Sequence, residues 1–199
     1  MITHNGSTGA PCGADFQIAH PSMFSSFVWL VILMIAVIGG TSVLSCVTPF
    51  AALAVALART VGLRAALSTM ALVWFTNQAL GFFFLGFPWT PSVFVWGLMI
   101  GAAALLATIV AENVLRHAPA RNASARLGLA LLLSFVMYEV ALLPVAWWFD
   151  GWEMFAPAII AQLAFINVVW LVAMVALNEV FSALGKPWLG RVPRLIGSS

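Results

Sequence analysis

Apolar runs of close to twenty residues, each closed by a short stretch carrying arginine, glycine, proline or an acid, follow one another from Phe27 to Phe181. A helix needs roughly 20 apolar residues to cross a bilayer, so each run has the length of a membrane span. The clearest cover residues 65–86, 92–115, 127–148 and 155–182. Ahead of them, Ser22 can cap a helix running through Phe27, Trp29 and Leu33 to the Gly39-Gly40 pair. The apolar run then continues through Thr41, Ser42 and Cys46 to Ala58, so that Phe27 to Ala58, at about 1.5 Å per residue, is too long for one span and short for two. Two short helices are expected here, because Gly39-Gly40 ends one helix and Thr41 or Ser42 caps the next. The pattern predicts an all-α fold, a polytopic integral membrane bundle of six transmembrane helices, or five if residues 22–59 form one broken helix.

Composition agrees. Of 199 residues 63% are hydrophobic and 7% charged, with a mean hydropathy of +1.08, too few polar groups to cover a water-soluble globule. Residues 1–21 form a polar, Gly-rich tail expected to be disordered, residues 22–185 the membrane domain, and residues 186–199 a basic tail. The tail has no Lys or Arg ahead of the first apolar run, which argues against a cleaved signal peptide.

Charge sets the orientation. Arg59 and Arg64 flank one turn, Arg116, His117, Arg121 and Arg126 fill another, and Lys186, Arg191 and Arg194 lie near the end. The positive-inside bias makes these regions cytoplasmic. The alternate loops, residues 86–91 and the acidic Asp150-Gly151-Trp152-Glu153, then face outward. The chain is expected to be a multi-pass protein of the cell (inner) membrane with a cytoplasmic C-terminus.

Against this apolar background a few polar residues carry the functional signal. Trp74, Asn77, Gln78 and Gly81 fall at i, i+3, i+4 and i+7, so on a helix they share one face. Counting rise from the cytoplasmic ends, Asn77 and Glu139 each sit about 18 Å into a core of ~30 Å. Gln162 approaches the same level from outside. Ser42, Ser45, Cys46 and Pro49 give a further polar stripe on the second helix. A carboxylate within the bilayer is costly and usually faces an interior, a cavity or a partner, which makes Glu139, beside Tyr138, the sharpest signal. If these faces converge they form an outward-opening pocket, capped by Phe87-Pro88-Trp89 and by the Trp147, Trp148 and Trp152 loop. The ligand-binding set is accordingly Trp74, Asn77, Gln78, Tyr138, Glu139, Trp148, Trp152 and Gln162, with a partly aromatic or cationic small molecule as ligand.

Structural accounts compete for several of these residues. Asn77 and Gln78 also suit interhelical hydrogen bonds, and Asn167 with Trp170 suits packing. Gln162 and Asn167 are five apart, so at most one faces a shared pocket. Glu112 and Arg116, at i and i+4, read as a surface pair. Ala52-x-x-x-Ala56 and Gly97-x-x-x-Gly101 are small-residue seams that specify close helix contact without naming the neighbour. Cys12 and Cys46 match no disulfide or zinc spacing, His4, His20 and His117 lie outside the spans, and no P-loop, dinucleotide, HExxH or GxSxG pattern occurs. No cofactor, metal, nucleic-acid partner or catalytic residue is expected.

The AALAVALA seam, the FTNQALGF segment, the aromatic outer loops and the basic inner ones together resemble the substrate-specificity (S) component of an energy-coupling-factor vitamin transporter. The chain departs from that family in its short first helical pair and in Pro49 within the alanine-rich helix. The resemblance implies capture of a vitamin or related micronutrient from outside. It also implies docking of the alanine-rich helix on a transmembrane coupling protein that works with ATPases. The function expected is thus a small-solute binding and uptake subunit. The alternative is an accessory or assembly subunit of a larger membrane complex, in which the same polar residues merely fasten helices. A membrane enzyme using Glu139 ranks last, because it has no second titratable group at that depth.

Overall fold

In a computed structural model, residues 48–118 and 122–189 are described, with side chains as far as Val180. The expected helix from Ser22 to Gly40, the stripe residues Ser42, Ser45 and Cys46, and the tail before Ser22 lie outside the described residues. Those that are described form five α-helices, a short 3-10 turn and no strand. They are α1 (Phe50–Thr60), α2 (Leu63–Phe83), α3 (Pro91–His117), α4 (Ala123–Phe149), the 3-10 turn Trp152–Phe155, and α5 (Pro157–Leu189). The helix α5 runs on through Lys186, past the expected start of a tail at that residue.

Helix α3, helix α4 and the stretch Pro157–Val180 of α5 are long and apolar enough to cross a membrane. At 21 residues α2 also has spanning length, but Arg64, Thr76, Asn77 and Gln78 lower its apolar content below that of the other three. Large apolar side chains point outward from the bundle, among them Phe75, Leu98, Leu132, Val140, Phe165 and Val172. A soluble surface rarely tolerates so much contiguous apolar area, whereas lipid does.

Helix α1 is the centre of the packing. Its 11 residues rise about 16 Å, half a bilayer core. From Phe50 to Leu57 every residue is buried, and α1 touches all four other helices. Alanine at four of those positions keeps its girth small enough for this. A continuous second helix through Pro49 was expected, and the structure corrects this: Pro49 is the N-cap of α1, and neither it nor Thr48 is helical. Proline has no N–H to give to an upstream carbonyl and clashes inside a helix, so a new helix starts after it. The start is secured from a distance. Asn167 on α5 accepts a hydrogen bond from the backbone N–H of Ala52 at 2.9 Å, filling one of the donor positions that a helix start leaves open.

The glycine seam finds its neighbour on α2. A Cβ at Gly97 would come within 2.5 Å of Gln78 Oε1, and one at Gly101 within 2.6 Å of the Trp74 ring. Trp74 Nε1 donates to the Gly97 carbonyl at 2.8 Å, which pins the two helices in register. Further along α3, Ala103, Ala104, Ala107 and Ala111 are fully buried, and Ser134 of α4 donates to the Ala107 carbonyl at 3.1 Å. By contrast α4 and α5 meet only sparsely, leaving an apolar groove of about 550 Å³ along Leu131, Leu132, Phe135, Val168 and Leu171.

Candidate functional site

Where α1 begins, the five helices enclose a cavity of about 540 Å³. Thr48, Phe50 and Ala51, at the start of the half-length α1, line one side of it. Asn77, Gln78 and Gly81 enter from α2, Trp96, Gly97 and Ile100 from α3, and Phe135, Tyr138, Glu139 and Leu142 from α4. Ile159, Leu163 and Asn167 of α5 close the side. Leu85 and Phe87 of the α2–α3 loop and Met154 and Phe155 of the 3-10 turn lie at the loop end.

Four of the eight expected ligand-binding residues thus meet: Asn77, Gln78, Tyr138 and Glu139. The i, i+1 and i, i+4 spacings explain how. Asn77 and Gln78 sit one turn from Gly81, and the aromatic ring of Phe87 packs over that glycine. Tyr138 stacks on Phe50 with centroids 6.0 Å apart, which fixes its ring against the start of α1. Asn77 Oδ1 accepts from Thr48 Oγ1 at 3.0 Å. Among the described residues, the side chains of Gln78, Tyr138 and Glu139 have no hydrogen-bond partner. A carboxylate, an amide and a phenol therefore border one space, none of them bonded to another described side chain.

The other four lie elsewhere. Trp74 is committed to the α2–α3 seam through Gly97. Gln162 is exposed and does not line the cavity, while Asn167, five residues on, does. Trp148 is 81% exposed, and Trp152 is also exposed, set edge-on to Trp147 at 5.9 Å. The expected caps divide similarly. Phe87 borders the cavity, while Trp89 joins Phe82, Phe83 and Phe94 in a separate aromatic cluster. Aromatic contact with a ligand would fall to Trp96, which the sequence assigns to an interfacial belt, and to Phe135 and Phe155, which look like further apolar residues of their segments.

One residue departs from its expected role. Glu112 is 5% exposed, a buried carboxylate rather than half of a surface pair, although its bond to Arg116 Nε at 2.7 Å is as expected. Ala52 and Ala56, the small-residue seam of α1, are buried against the chain's own helices. Among the described residues no cluster of His, Cys, Asp or Glu is spaced to hold a metal ion.

No protein family, curated protein or solved structure matches the chain.

Proposed function

We propose that this chain is a membrane subunit that binds a small solute in the cavity at the start of α1 and serves its uptake. The observation that carries the reading is a space of about 540 Å³ bordered by Asn77, Gln78, Tyr138 and Glu139. Ligand pockets of roughly 300–1,000 Å³ with mostly apolar walls and a few convergent polar groups are the usual form of small-molecule sites. Polar residues that merely fasten helices would be expected to spend their hydrogen bonds on one another. The solute has an apolar or aromatic body for the Trp96 and Phe135 walls. It also carries a cationic or hydrogen-bond-donating group for Glu139 and an amide-complementary edge for Gln78.

In this proposal the bundle is completed by a helix from Ser22 to Gly40, the arginine-bearing turns and both termini are cytoplasmic, and the cavity opens outward in the cell membrane. Its resemblance to a substrate-specificity component extends to a coupling protein with ATPases, which would engage a surface other than α1. One observation favours the accessory-subunit reading, the sparse contact between α4 and α5 along an apolar groove. Glu139→Gln separates the two. Loss of solute binding by a folded variant supports uptake; unchanged binding of a co-purified solute removes Glu139 from the site, and loss of a protein partner instead supports the accessory role.

A further inference from the structure

Charge is distributed unevenly around the cavity at the start of α1. Glu139 is the one carboxylate among the residues that line it, and no arginine, lysine or histidine does. The Glu139 side chain is partly exposed, and its oxygens are not among the buried polar atoms without a partner, which belong to Glu112 and Arg126. The described basic residues all sit at the other ends of the same helices. Arg59 closes α1, Arg64 lies in the first turn of α2, Arg116 and His117 close α3, and Arg126 lies in the first turn of α4. Residues 22–47, outside the described residues, contain no Lys, Arg or His.

The neighbouring loops have the same sign. Asp150 and Glu153 are exposed, and Glu153 directly precedes Met154 and Phe155, which border the cavity. Residues 84–90, the other loop at this end, carry no charge. A cleft with charge of one sign and low-dielectric walls concentrates the opposite ion. The walls add to this, because Phe50, Phe87, Trp96, Phe135, Tyr138 and Phe155 surround the same space, and aromatic faces attract organic ammonium groups. A bare metal ion is poorly served. Calcium takes roughly six or more oxygen ligands, and the described residues hold no cluster of His, Cys, Asp or Glu for any metal. An anionic group would meet no counter-charge in the cavity, and an unpaired charge in an apolar site is strongly disfavoured.

We propose that the solute is an organic cation with a single positive charge and no acidic group. Its ammonium pairs with Glu139, which makes the loaded site neutral, and its body lies against the aromatic walls. The assignment rests on reading this cavity as a solute site and narrows it, since amino acids, carboxylates and phosphate esters are now excluded.

Four probes with one phenylethyl body test the charge: 2-phenylethylamine as cation, 2-phenylethanol as neutral, 3-phenylpropionate as anion and phenylalanine as zwitterion. Equilibrium binding is measured on the full chain in mild detergent at neutral pH, with protein-free detergent as blank. The amine is expected to bind at least tenfold tighter than the alcohol, the scale of a hydrogen bond to a charged group, and the other two not at all. Glu139→Gln should bring the amine to the affinity of the alcohol and leave the alcohol unchanged. Binding of the alcohol, the propionate or phenylalanine as tightly as the amine would overturn the charge assignment while leaving the cavity a solute site. An amine preference that survives in Glu139→Gln would overturn the pairing. Binding of none of the four also overturns the inference, and native mass spectrometry of the untreated protein then shows whether the cavity holds a solute of another class. If Glu139→Gln does not fold, the ranking of the four probes on the wild type decides.

Discussion

Along the seams of the bundle polar groups find protein partners: Trp74 has the Gly97 carbonyl, Asn167 the Ala52 amide, Ser134 the Ala107 carbonyl. Around the cavity at the start of α1, Asn77 and Asn167 are bonded too, but Gln78, Tyr138 and Glu139 have no side-chain hydrogen-bond partner among the described residues. Both regions draw on the same amides and hydroxyls in the same apolar helices, so residue type does not separate them. What separates them is whether a neighbouring backbone comes close enough to answer. Small residues bring α2 and α3 together at Gly97 and Gly101; Thr48 and Phe50, at the start of α1, border the cavity.

That contrast can be broken from the seam side first. Gly101→Val puts a branched side chain where even a Cβ would lie 2.6 Å from the Trp74 ring. Overpacking of this kind costs about 1–3 kcal/mol, and losing the Trp74 hydrogen bond adds about 1 kcal/mol more. A large drop in Tm in detergent, or failure to recover folded protein, is the expected outcome, and a wild-type Tm would mean that α2 and α3 are not in contact there. Asn167→Leu should act next most strongly. It leaves the Ala52 N–H buried without an acceptor, which costs about 1–3 kcal/mol, read as a lowered Tm.

On the cavity side the effects should move from stability to binding. Glu139→Gln keeps the shape and removes the charge, so solute affinity should fall at least tenfold, the scale of about 1.5–3 kcal/mol for a hydrogen bond to a charged group, with Tm little changed. A matching fall in Tm with no change in affinity would assign Glu139 to packing instead. The smallest effect is expected of Trp148→Ala. Its ring is 81% exposed and borders no part of the cavity, so both affinity and Tm should stay within about 0.5 kcal/mol of wild type.

Helix positions were largely legible in the sequence. The expected span 127–148 sits inside Ala123–Phe149, and 92–115 inside Pro91–His117. The sharing of one helix face by Asn77, Gln78 and Gly81, and the common level of Asn77 and Glu139, also followed from rise and periodicity, and these residues border one cavity. Periodicity tells which residues share a face but not which neighbour that face meets. For that reason the sequence placed Gln162 in the pocket and Asn167 in packing, whereas the packing of α5 against α1 brings Asn167 to the cavity wall, 115 residues from the amide it accepts from. Glu112 was misread for the same reason. An i, i+4 pair at a helix end looks solvent-exposed until the turns around Arg59 and Arg126 close over it. Trp147, Trp148 and Trp152 show the converse, aromatic residues clustered in a loop whose rings point away from the cavity beside it.

Native mass spectrometry of the full chain, released from mild detergent after purification without added ligand, tests the cavity most directly. A retained small molecule, lost from Glu139→Gln while the variant stays folded, is the predicted result. A wild-type protein that carries no small molecule, and gains none when incubated with an extract of small metabolites, would contradict the assignment of this cavity to solute binding.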